Sequence, residues 1–289
     1  MYTKIWSEFI VMKTTAYSVL LPIYRNDNPD FLKVAIDSIL NQSFQADEIL
    51  IAVDGYINDD LKKVIENYKK SNEDLFTVCY YLENEGLGKL LNKTLLLCRN
   101  EYIARMDADD FSLPNRIEKQ FKLLESRNDI NIVGTNVDEF FNEFNNVVAK
   151  VVLPEEPKDI YNFAKRRCPI RHSSLLFKKS DVLSVGNYST EPYIQNYMQD
   201  YDLIVKLLIK GFNIYNIQEP LVKMRVNPDF YNRRGGINYL KCVHKAKIKF
   251  LKLGFYSLSD FIISFFGQAI VILMPGSIRT FVYNKFLRS

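Results

Sequence analysis

The sequence predicts an α/β fold: a three-layer αβα sandwich with a mostly parallel central sheet, followed by a helical C-terminal extension. Two observations lead to this prediction. Short apolar segments alternate with amphipathic segments four times in the first 105 residues, as strands and crossover helices of a parallel sheet do. The chain has 289 residues, of which 47% are hydrophobic, so it is long enough to bury one large core.

The individual elements follow from local patterns. Short continuous apolar runs are typical of strands buried on both faces, and they predict strands at 17–22, 48–53, 76–82 and 102–105. Apolar residues at helical spacing predict helices between them, one starting within 26–29 and continuing to 40, and others at 59–68 and 90–98. The second half is less regular, with helices predicted at 116–124, 159–165, 180–185 and 199–210, strands at 130–134, 175–177 and 212–217, and a hairpin turn at 145–146.

Three parts are expected along the chain: an N-terminal extension (1–16), a main body (17–234) and a C-terminal tail (235–289). Met12 is an alternative start. Residues 241–289 contain eight Lys and Arg and a single acid, Asp260. The apolar segment 261–274 is too short to span a bilayer. A basic, apolar tail favours contact with a membrane surface, and the alternative is a helix pair packed on the body or on a second subunit.

Composition limits the class of protein. The formal charge is +4, which does not call for a nucleic-acid partner. The four cysteines are widely spaced and form no C-x-x-C pair, which argues against a zinc site or a disulfide framework and for a reducing compartment. The first 15 residues lack the pattern of a signal peptide. A cytoplasmic location is therefore expected.

The most informative segment is the acidic motif Asp107-Ala108-Asp109-Asp110 at the end of a predicted strand. Crowded carboxylates disfavour one another's ionisation, and a divalent cation removes that cost. Oxygen ligands at a strand end suit Mg²⁺ or Mn²⁺ shared with substrate phosphates. The alternative is a solvated acidic turn that caps the helix starting after Asn115.

Other polar residues follow the neighbouring predicted strands. Tyr24, Asp54, Lys89 and the acidic motif all lie at carboxyl ends of strands or in the turns that follow them. In a parallel sheet these ends meet at one edge, where ligands bind. The sequence therefore predicts a ligand site at this edge.

On these motifs the chain resembles the family 2 glycosyltransferases, inverting nucleotide-sugar enzymes with the GT-A fold. The resemblance covers roughly residues 17–236. Within the family, the chain is similar to the bacterial branch that builds capsule, O-antigen or exopolysaccharide. The matching segments are 18–24, 38–43, 54–55, 83–88, 101–114, 134–135, 168–172 and 199–202.

The resemblance implies how a sugar donor is held. Asp109 would face the metal ion, Mn²⁺ or Mg²⁺, and Asp107 would face the ribose and assist at the metal. Pro22 and Tyr24 match the loop under the nucleobase. Asp54 matches the residue that reads a uracil or thymine edge, although many relatives carry two acids where this chain has a single one.

Several cations are expected to balance the donor diphosphate. Lys89 is one, and a solvated lysine in the first turn of a helix is its equal alternative. Arg225, Arg233 and Arg234 stand near Gly235-Gly236 and suit phosphate oxygens. Their alternative is a solvated basic linker.

The resemblance also implies an acceptor side. Asp200 matches the catalytic base, with Gln199 in place of the usual Glu; its alternative role is a first-turn acid of a helix. His172 is expected to position the acceptor, although a lone His is more often structural. Asn227 stands where some relatives have a metal-binding His.

These features together imply a metal-dependent, inverting glycosyltransferase of the hexosyltransferase type. Its expected donor is UDP-linked, and its expected acceptor is a polyprenyl-diphosphate-linked glycan at the inner face of the cell membrane. Oligomerisation stays open. A nucleotidyltransferase is one alternative, but its first loop would be glycine-rich and Tyr24–Asp27 has no glycine. A non-catalytic nucleotide-binding scaffold is the other.

Overall fold

The computed structural model describes residues 15–227 and 234–282, and these form an α/β structure with the predicted helical extension. The strands are β1 (Tyr17–Tyr24), β2 (Glu48–Asp54), β3 (Phe76–Tyr81), β4 (Tyr102–Arg105), β5 (Phe111–Ser112), β6 (Ile132–Phe140), β7 (Val147–Val151), β8 (Leu176–Lys178) and β9 (Ile214–Arg225). The helices are α1 (Pro29–Leu40), α2 (Asp59–Ser71), α3 (Leu87–Leu95), α4 (Arg116–Ser126), α5 (Pro157–Ala164), α6 (Lys179–Ser184), α7 (Gln199–Lys210), α8 (Gly236–Lys252), α9 (Leu258–Leu273) and α10 (Gly276–Val282).

All the strands belong to one sheet with the order β3-β2-β1-β4-β8-β6-β9-β5, and β7 pairs with β6 outside this path. The four N-terminal strands run parallel, as predicted. Beyond β4 the sheet is mixed, because β8 is antiparallel to both of its neighbours while β6 and β9 run parallel. The parallel half places the ends of β1, β2 and β4 at one edge.

Helices cover both faces of the sheet. Leu20 packs in one core with Leu90 of α3 and Ile204 of α7. The next residue, Leu21, packs in a second core with Ile36 of α1. Successive strand residues point to opposite faces, so the continuous apolar runs of the sequence fill both layers of the sandwich.

Several elements differ from their predicted bounds; β6, for example, spans Ile132–Phe140 instead of 130–134, and two further differences concern α3 and β9. Helix α3 begins at Leu87 instead of residue 90, since Gly86 precedes it with a φ of +91°, a conformation that suits glycine. Strand β9 continues to Arg225 instead of ending at 217, because it stays paired with β6 past two register shifts. Near its end it also pairs with β5, at Phe111 and Ser112, where no strand was predicted.

The helix α8 packs on the body. Its residues Val243, Ala246 and Phe250 are buried in the same core as α7. Lys249 forms ion pairs with the buried Asp202 of α7 and with Glu191, each at 2.7 Å. Of the two alternatives for the tail, packing against the body is thus observed for α8, while the domain boundary at 234–235 stays a prediction.

Helix α9 has one buried face and one exposed apolar face, which we call the α9 stripe. Its members recur every three or four residues and are all solvent-exposed: Leu258, Ile262, Phe266, Ile270 and Leu273. Within 15–227 and 234–282, no helix combines the length and apolar character that crossing a bilayer requires. The N-terminal extension up to residue 14, the alternative start at Met12 and the basic residues after 282 lie outside the described residues.

Candidate functional site

The acidic motif forms a turn between β4 and β5 that the end of β9 holds in place. Asp110 is buried, and its Oδ1 accepts a hydrogen bond from the backbone N–H of Arg225 at 2.9 Å. The Arg225 Nε donates to the carbonyl oxygen of Asp109 at 3.1 Å. Oδ2 of Asp110 has no hydrogen-bond partner among the described residues.

The carboxylates of this turn hinder one another's ionisation. Burial, and then the neighbouring Asp107, raise the pKa of Asp109 to about 6. Burial first, and then Asp109, hold the pKa of Asp110 well above its usual range. Asp27, after β1, has its pKa raised to about 7 by burial, with smaller contributions from Asp109 and Asp107. The sequence had predicted only a helix start at Asp27.

These residues fit a divalent cation. Among the described residues, no set of three or more His, Cys, Asp and Glu converges on a ready-made metal site. Mg²⁺ and Mn²⁺, however, take one or two protein carboxylates and complete their shell with water and substrate phosphates. Asp107 and Asp109 suit that requirement, because a cation would relieve the repulsion that raises the pKa of Asp109.

Arg105, the last residue of β4, was not predicted as a site residue. It is buried, and its Nη2 forms an ion pair with Asp107. Its Nε and Nη1 atoms have no hydrogen-bond partner in the described parts of the chain. Arg105 lowers the pKa of Asp200 and that of His172, so it lies between the acidic motif and the predicted acceptor side.

Asp200 lies in the first turn of α7, which begins at Gln199 as predicted. Its Oδ1 accepts the N–H of Tyr201 at 2.8 Å. Burial raises the pKa of Asp200, and Arg234 and Arg105 partly offset this. The Tyr201 hydroxyl donates to the carbonyl oxygen of Ala164, which fixes the start of the helix.

His172 is buried in a 3₁₀ turn, and its Nε2 lies 2.8 Å from the Tyr188 hydroxyl. Burial, and then the charge of Arg105, hold the pKa of His172 well below its usual range. The ring is therefore neutral near pH 7, which suits positioning by hydrogen bonds.

A cavity of ≈ 640 Å³ connects these groups. Its lining includes Asp107, His172, Gln199, Asp200 and Arg234, so the structure brings together residues predicted from four separate segments. The buried Oε1 of Gln199 lacks a hydrogen-bond partner among the described residues. Five arginines but only three carboxylates line the cavity, and α9 forms part of its wall.

Asp54 has a different environment from the acidic motif. Its two carboxylate oxygens accept the backbone N–H groups of Glu85 at 2.9 Å and Gly86 at 3.0 Å. These bonds fix the turn before α3. Gly88 is required there as well, because a Cβ would lie 2.6 Å from the Ser189 carbonyl oxygen. Base reading by Asp54 stays a prediction.

The other predicted donor residues lie as follows. Pro22 is buried within β1, while Tyr24 is exposed at its end and donates its N–H to Asp27 at 2.8 Å. Lys89 is half-buried in the first turn of α3. Their roles toward a nucleotide stay predictions.

The predicted arginines that the structure describes lie in different parts of the site. The Arg225 guanidinium lies 3.6 Å from the ring centroid of Phe31, beside the acidic motif. Arg234 lines the cavity and interacts electrostatically with Asp200. Arg233 lies outside the described residues. Asn227 is exposed after β9.

Comparison with known proteins places this geometry in context. Residues 18–182 match the model of the family described as "Glycosyl transferase family 2". The Escherichia coli UDP-Gal:alpha-D-GlcNAc-diphosphoundecaprenol beta-1,3-galactosyltransferase is 35% identical, over 95% of this chain and 98% of that protein. The Erwinia amylovora amylovoran biosynthesis glycosyltransferase AmsE is 32% identical, over 93% and 98%. The crystal structure of Staphylococcus aureus TarS 1-349 in complex with UDP-GlcNAc superposes with a TM-score of 0.68 at 12% identity, over 93% of this chain and 75% of that one.

Proposed function

The chain belongs to glycosyltransferase family 2, and we propose that it transfers a hexose from UDP to a lipid-linked glycan in bacterial surface-polysaccharide synthesis, with inversion at the anomeric carbon. The observation that carries this proposal is the single cavity shared by Asp107 of the acidic motif and Asp200 of α7. It gives a sugar donor and an acceptor one place to meet.

The nucleotide is proposed to bind at the carboxyl ends of the parallel strands. Asp107 faces the ribose, Pro22 and Tyr24 lie under the base, and Asp54 reads the base edge. A UDP donor is supported by the E. coli relative, whose name specifies UDP-Gal. Because Asp54 is held by two backbone N–H groups, we expect that it also fixes the loop that borders the base.

Asp109, with Asp107, would hold Mn²⁺ or Mg²⁺. Such a cation, when bound, neutralises charge that develops on the leaving diphosphate. Lys89, Arg225, Arg233 and Arg234 are the protein groups proposed to contribute further positive charge. Of these, Arg225 is the one that also braces the acidic motif.

Asp200 is proposed to act as the base. The acceptor hydroxyl oxygen attacks the anomeric carbon from the side opposite the leaving group, and its proton passes to a carboxylate oxygen of Asp200. The bond between the anomeric carbon and the diphosphate oxygen breaks, which releases UDP. The raised pKa of Asp200 makes its carboxylate a better proton acceptor than an exposed one.

The acceptor is proposed to be a glycan on a polyprenyl diphosphate, with His172 and Gln199 positioning its sugar. The E. coli relative is named for a diphosphoundecaprenol acceptor. Such an acceptor resides in a membrane, so we propose that the protein works at the inner face of the cell membrane. The exposed α9 stripe supports that location.

Donor specificity provides the first test. Binding of UDP-, GDP- and dTDP-sugars would be measured by calorimetry with and without manganese, on wild type and Asp109→Ala. We expect metal-dependent binding of a UDP-sugar by wild type and a large loss in the variant. Transfer of a nucleotidyl group instead of a sugar would favour the nucleotidyltransferase. Nucleotide binding with neither transfer nor donor hydrolysis would favour the scaffold, and no binding of any nucleotide sugar would contradict the proposal.

A further inference from the structure

Part of the cavity lining, which we call the arginine wall, is built from arginines and from α9. Arg166 and Arg171 line it, together with Ile263, Gly267 and Val271 of α9. Arg234 lies close enough to Arg171 to disfavour the charge of Arg171. The cavity therefore carries clustered positive charge near Asp200.

Arg171 is available to a ligand. Its Nε has no hydrogen-bond partner among the described residues, and the nearest carboxylate oxygen, Oε1 of Glu139, is 3.9 Å from its Nη2. That separation exceeds a hydrogen bond. Burial lowers the pKa of Arg171, as expected for a cation whose charge the protein leaves incompletely compensated.

Arg166 connects the arginine wall to α9. Its Nη1 pairs with Asp260 at 2.9 Å, and its carbonyl oxygen accepts a hydrogen bond from Ser264 at 3.1 Å. Asp260 also pairs with Lys165 at 3.2 Å, so Arg166 is not its sole partner. The Arg166 side chain is 46% exposed, which leaves its guanidinium accessible from the cavity.

Helix α9 continues the cavity wall as apolar surface. Ile263 lines the cavity and is also exposed to solvent. Residues three and four positions apart are neighbours on a helix, so Ile263 adjoins Phe266, and Phe266 in turn adjoins Ile270 of the α9 stripe. An apolar path therefore leads from the cavity rim onto the outer face of α9.

We propose that Arg171 and Arg166 bind the diphosphate of the acceptor, and that its polyprenyl chain leaves the cavity over Ile263 and along the α9 stripe. This inference rests on the proposed function. It matches the order of groups in such an acceptor: the sugar at Asp200, the diphosphate at the arginines and the lipid on α9. Guanidinium groups fork well onto phosphate oxygens.

The test uses farnesyl diphosphate as the probe, titrated by calorimetry into protein already saturated with UDP and manganese, so that the donor site is filled. Farnesol and inorganic pyrophosphate are titrated in parallel, which separates the lipid contribution from that of the diphosphate. The variants are Arg171→Gln, Arg166→Gln and Ile263→Ser. Lys158→Gln, an exposed charge on α5, is the matched control.

We expect farnesyl diphosphate to bind wild type and Lys158→Gln equally, and to bind either arginine variant about tenfold more weakly. Ile263→Ser should weaken the binding of farnesyl diphosphate and leave the affinity for pyrophosphate unchanged. Arg171→Lys, which keeps the charge beside Glu139, should restore part of the affinity. An unchanged UDP affinity and melting temperature would show that the variants are folded.

Equal affinity of wild type and both arginine variants would overturn the inference, and so would displacement of farnesyl diphosphate by UDP, which would locate the probe in the donor site. Failure of the proposed function has a separate signature. In that case UDP with manganese does not bind at all, while farnesyl diphosphate alone still reports on Arg171 and Arg166.

Discussion

Two regions of the site, the acidic motif and the arginine wall, carry opposite, incompletely balanced charge. At the acidic motif, burial and crowding raise the pKa values of Asp27, Asp109 and Asp110. At the arginine wall, burial and a neighbouring arginine lower the pKa of Arg171. Each region therefore favours a ligand of the opposite charge: a cation at the acidic motif and an anion at the arginines.

Arg105 connects the acidic motif to Asp200, because it pairs with Asp107 and interacts electrostatically with Asp200. From the proposed function we expect donor chemistry to depend on the acidic motif, acceptor binding on the arginine wall, and proton transfer on Asp200. Substitutions at each position should thus have separable effects.

The largest effect is expected at Asp200, the proposed base. Asp200→Asn should lower kcat by about 10²–10⁴-fold, because an amide cannot accept the acceptor proton, while the UDP affinity stays unchanged. Steady-state kinetics together with calorimetry would measure both. Asp60→Asn removes an exposed first-turn acid of α2 and serves as the control. Full activity of Asp200→Asn would assign that residue the structural role of a first-turn acid.

The next effect concerns the acidic motif. Asp109→Ala should lower the rate of transfer by about 10²–10³-fold, as loss of one group that stabilises developing charge does, and should weaken manganese binding. Rates measured over a manganese titration would test this. Asp159→Ala, at an exposed acid of α5, should behave as wild type. A variant with normal manganese affinity would show that Asp109 does not hold the cation.

A smaller effect is expected at Arg105, which connects the acidic motif to Asp200. Arg105→Gln should lower kcat/KM by about tenfold, or 1.4 kcal/mol, and change its pH dependence. Arg105 lowers the pKa of Asp200, and Asp200 must be ionised to act as a base. Activity should therefore be lost as the pH falls, and in the variant this loss should begin at a higher pH.

The control for that experiment is Arg127→Gln, which removes a surface arginine paired with Asp129 and Glu156. It should leave the pH profile unchanged. If the profile of Arg105→Gln coincides with that of wild type, Arg105 does not influence the base.

The smallest effect is expected at Lys247, a buried cation of α8. Burial, and then Arg166, lower the pKa of Lys247 to about 7 from 10.5; its ammonium group donates to Ser264 and lies 5.8 Å from the ring centroid of Tyr256. Because the folded-state pKa is the lower one, burying this lysine costs most at pH 7 and below, and the cost shrinks as the pH rises toward 10.5.

Lys247→Met should therefore raise the free energy of unfolding, by roughly 1–2 kcal/mol near pH 7, and by less near pH 10. Denaturant unfolding at the two pH values would measure this. Lys252→Met on the exposed side of α8 is the matched control. A gain that is equal at both pH values would contradict the shifted pKa.

The parallel half of the fold was predictable because local signals and burial agree there. Continuous apolar runs marked β1, β2 and β4, and Asn28 accepts the N–H groups of Asp30 and Phe31 at the start of α1. The full length of β9 was not predictable, because Gln218, Glu219 and Pro220 interrupt its apolar pattern and pairing with β6 and β5 keeps it extended.

Of the cations that line the cavity, Arg234 was predicted, whereas Arg105, Arg166 and Arg171 were not. A sequence motif singles out Asp107, Asp109 and Asp200, whereas the contribution of Arg105 depends on its contacts in three dimensions. A signal was nevertheless present. A buried charge at the end of an apolar strand requires a partner, and the partner of Arg105 is Asp107, two residues further along.

The ion pair between Lys249 and Asp202 has a consequence for the order in which the chain is made. Asp202 lies two residues from the proposed base and is fully buried, with Lys206 as its neighbour at 3.3 Å. Its second partner is synthesised 47 residues later, in α8. A nascent chain that ends before Lys249 contains the whole acidic motif and Asp200, but it lacks the ion pair that joins α7 to α8. We therefore expect α7 to be fully held in place only after α8 has been synthesised.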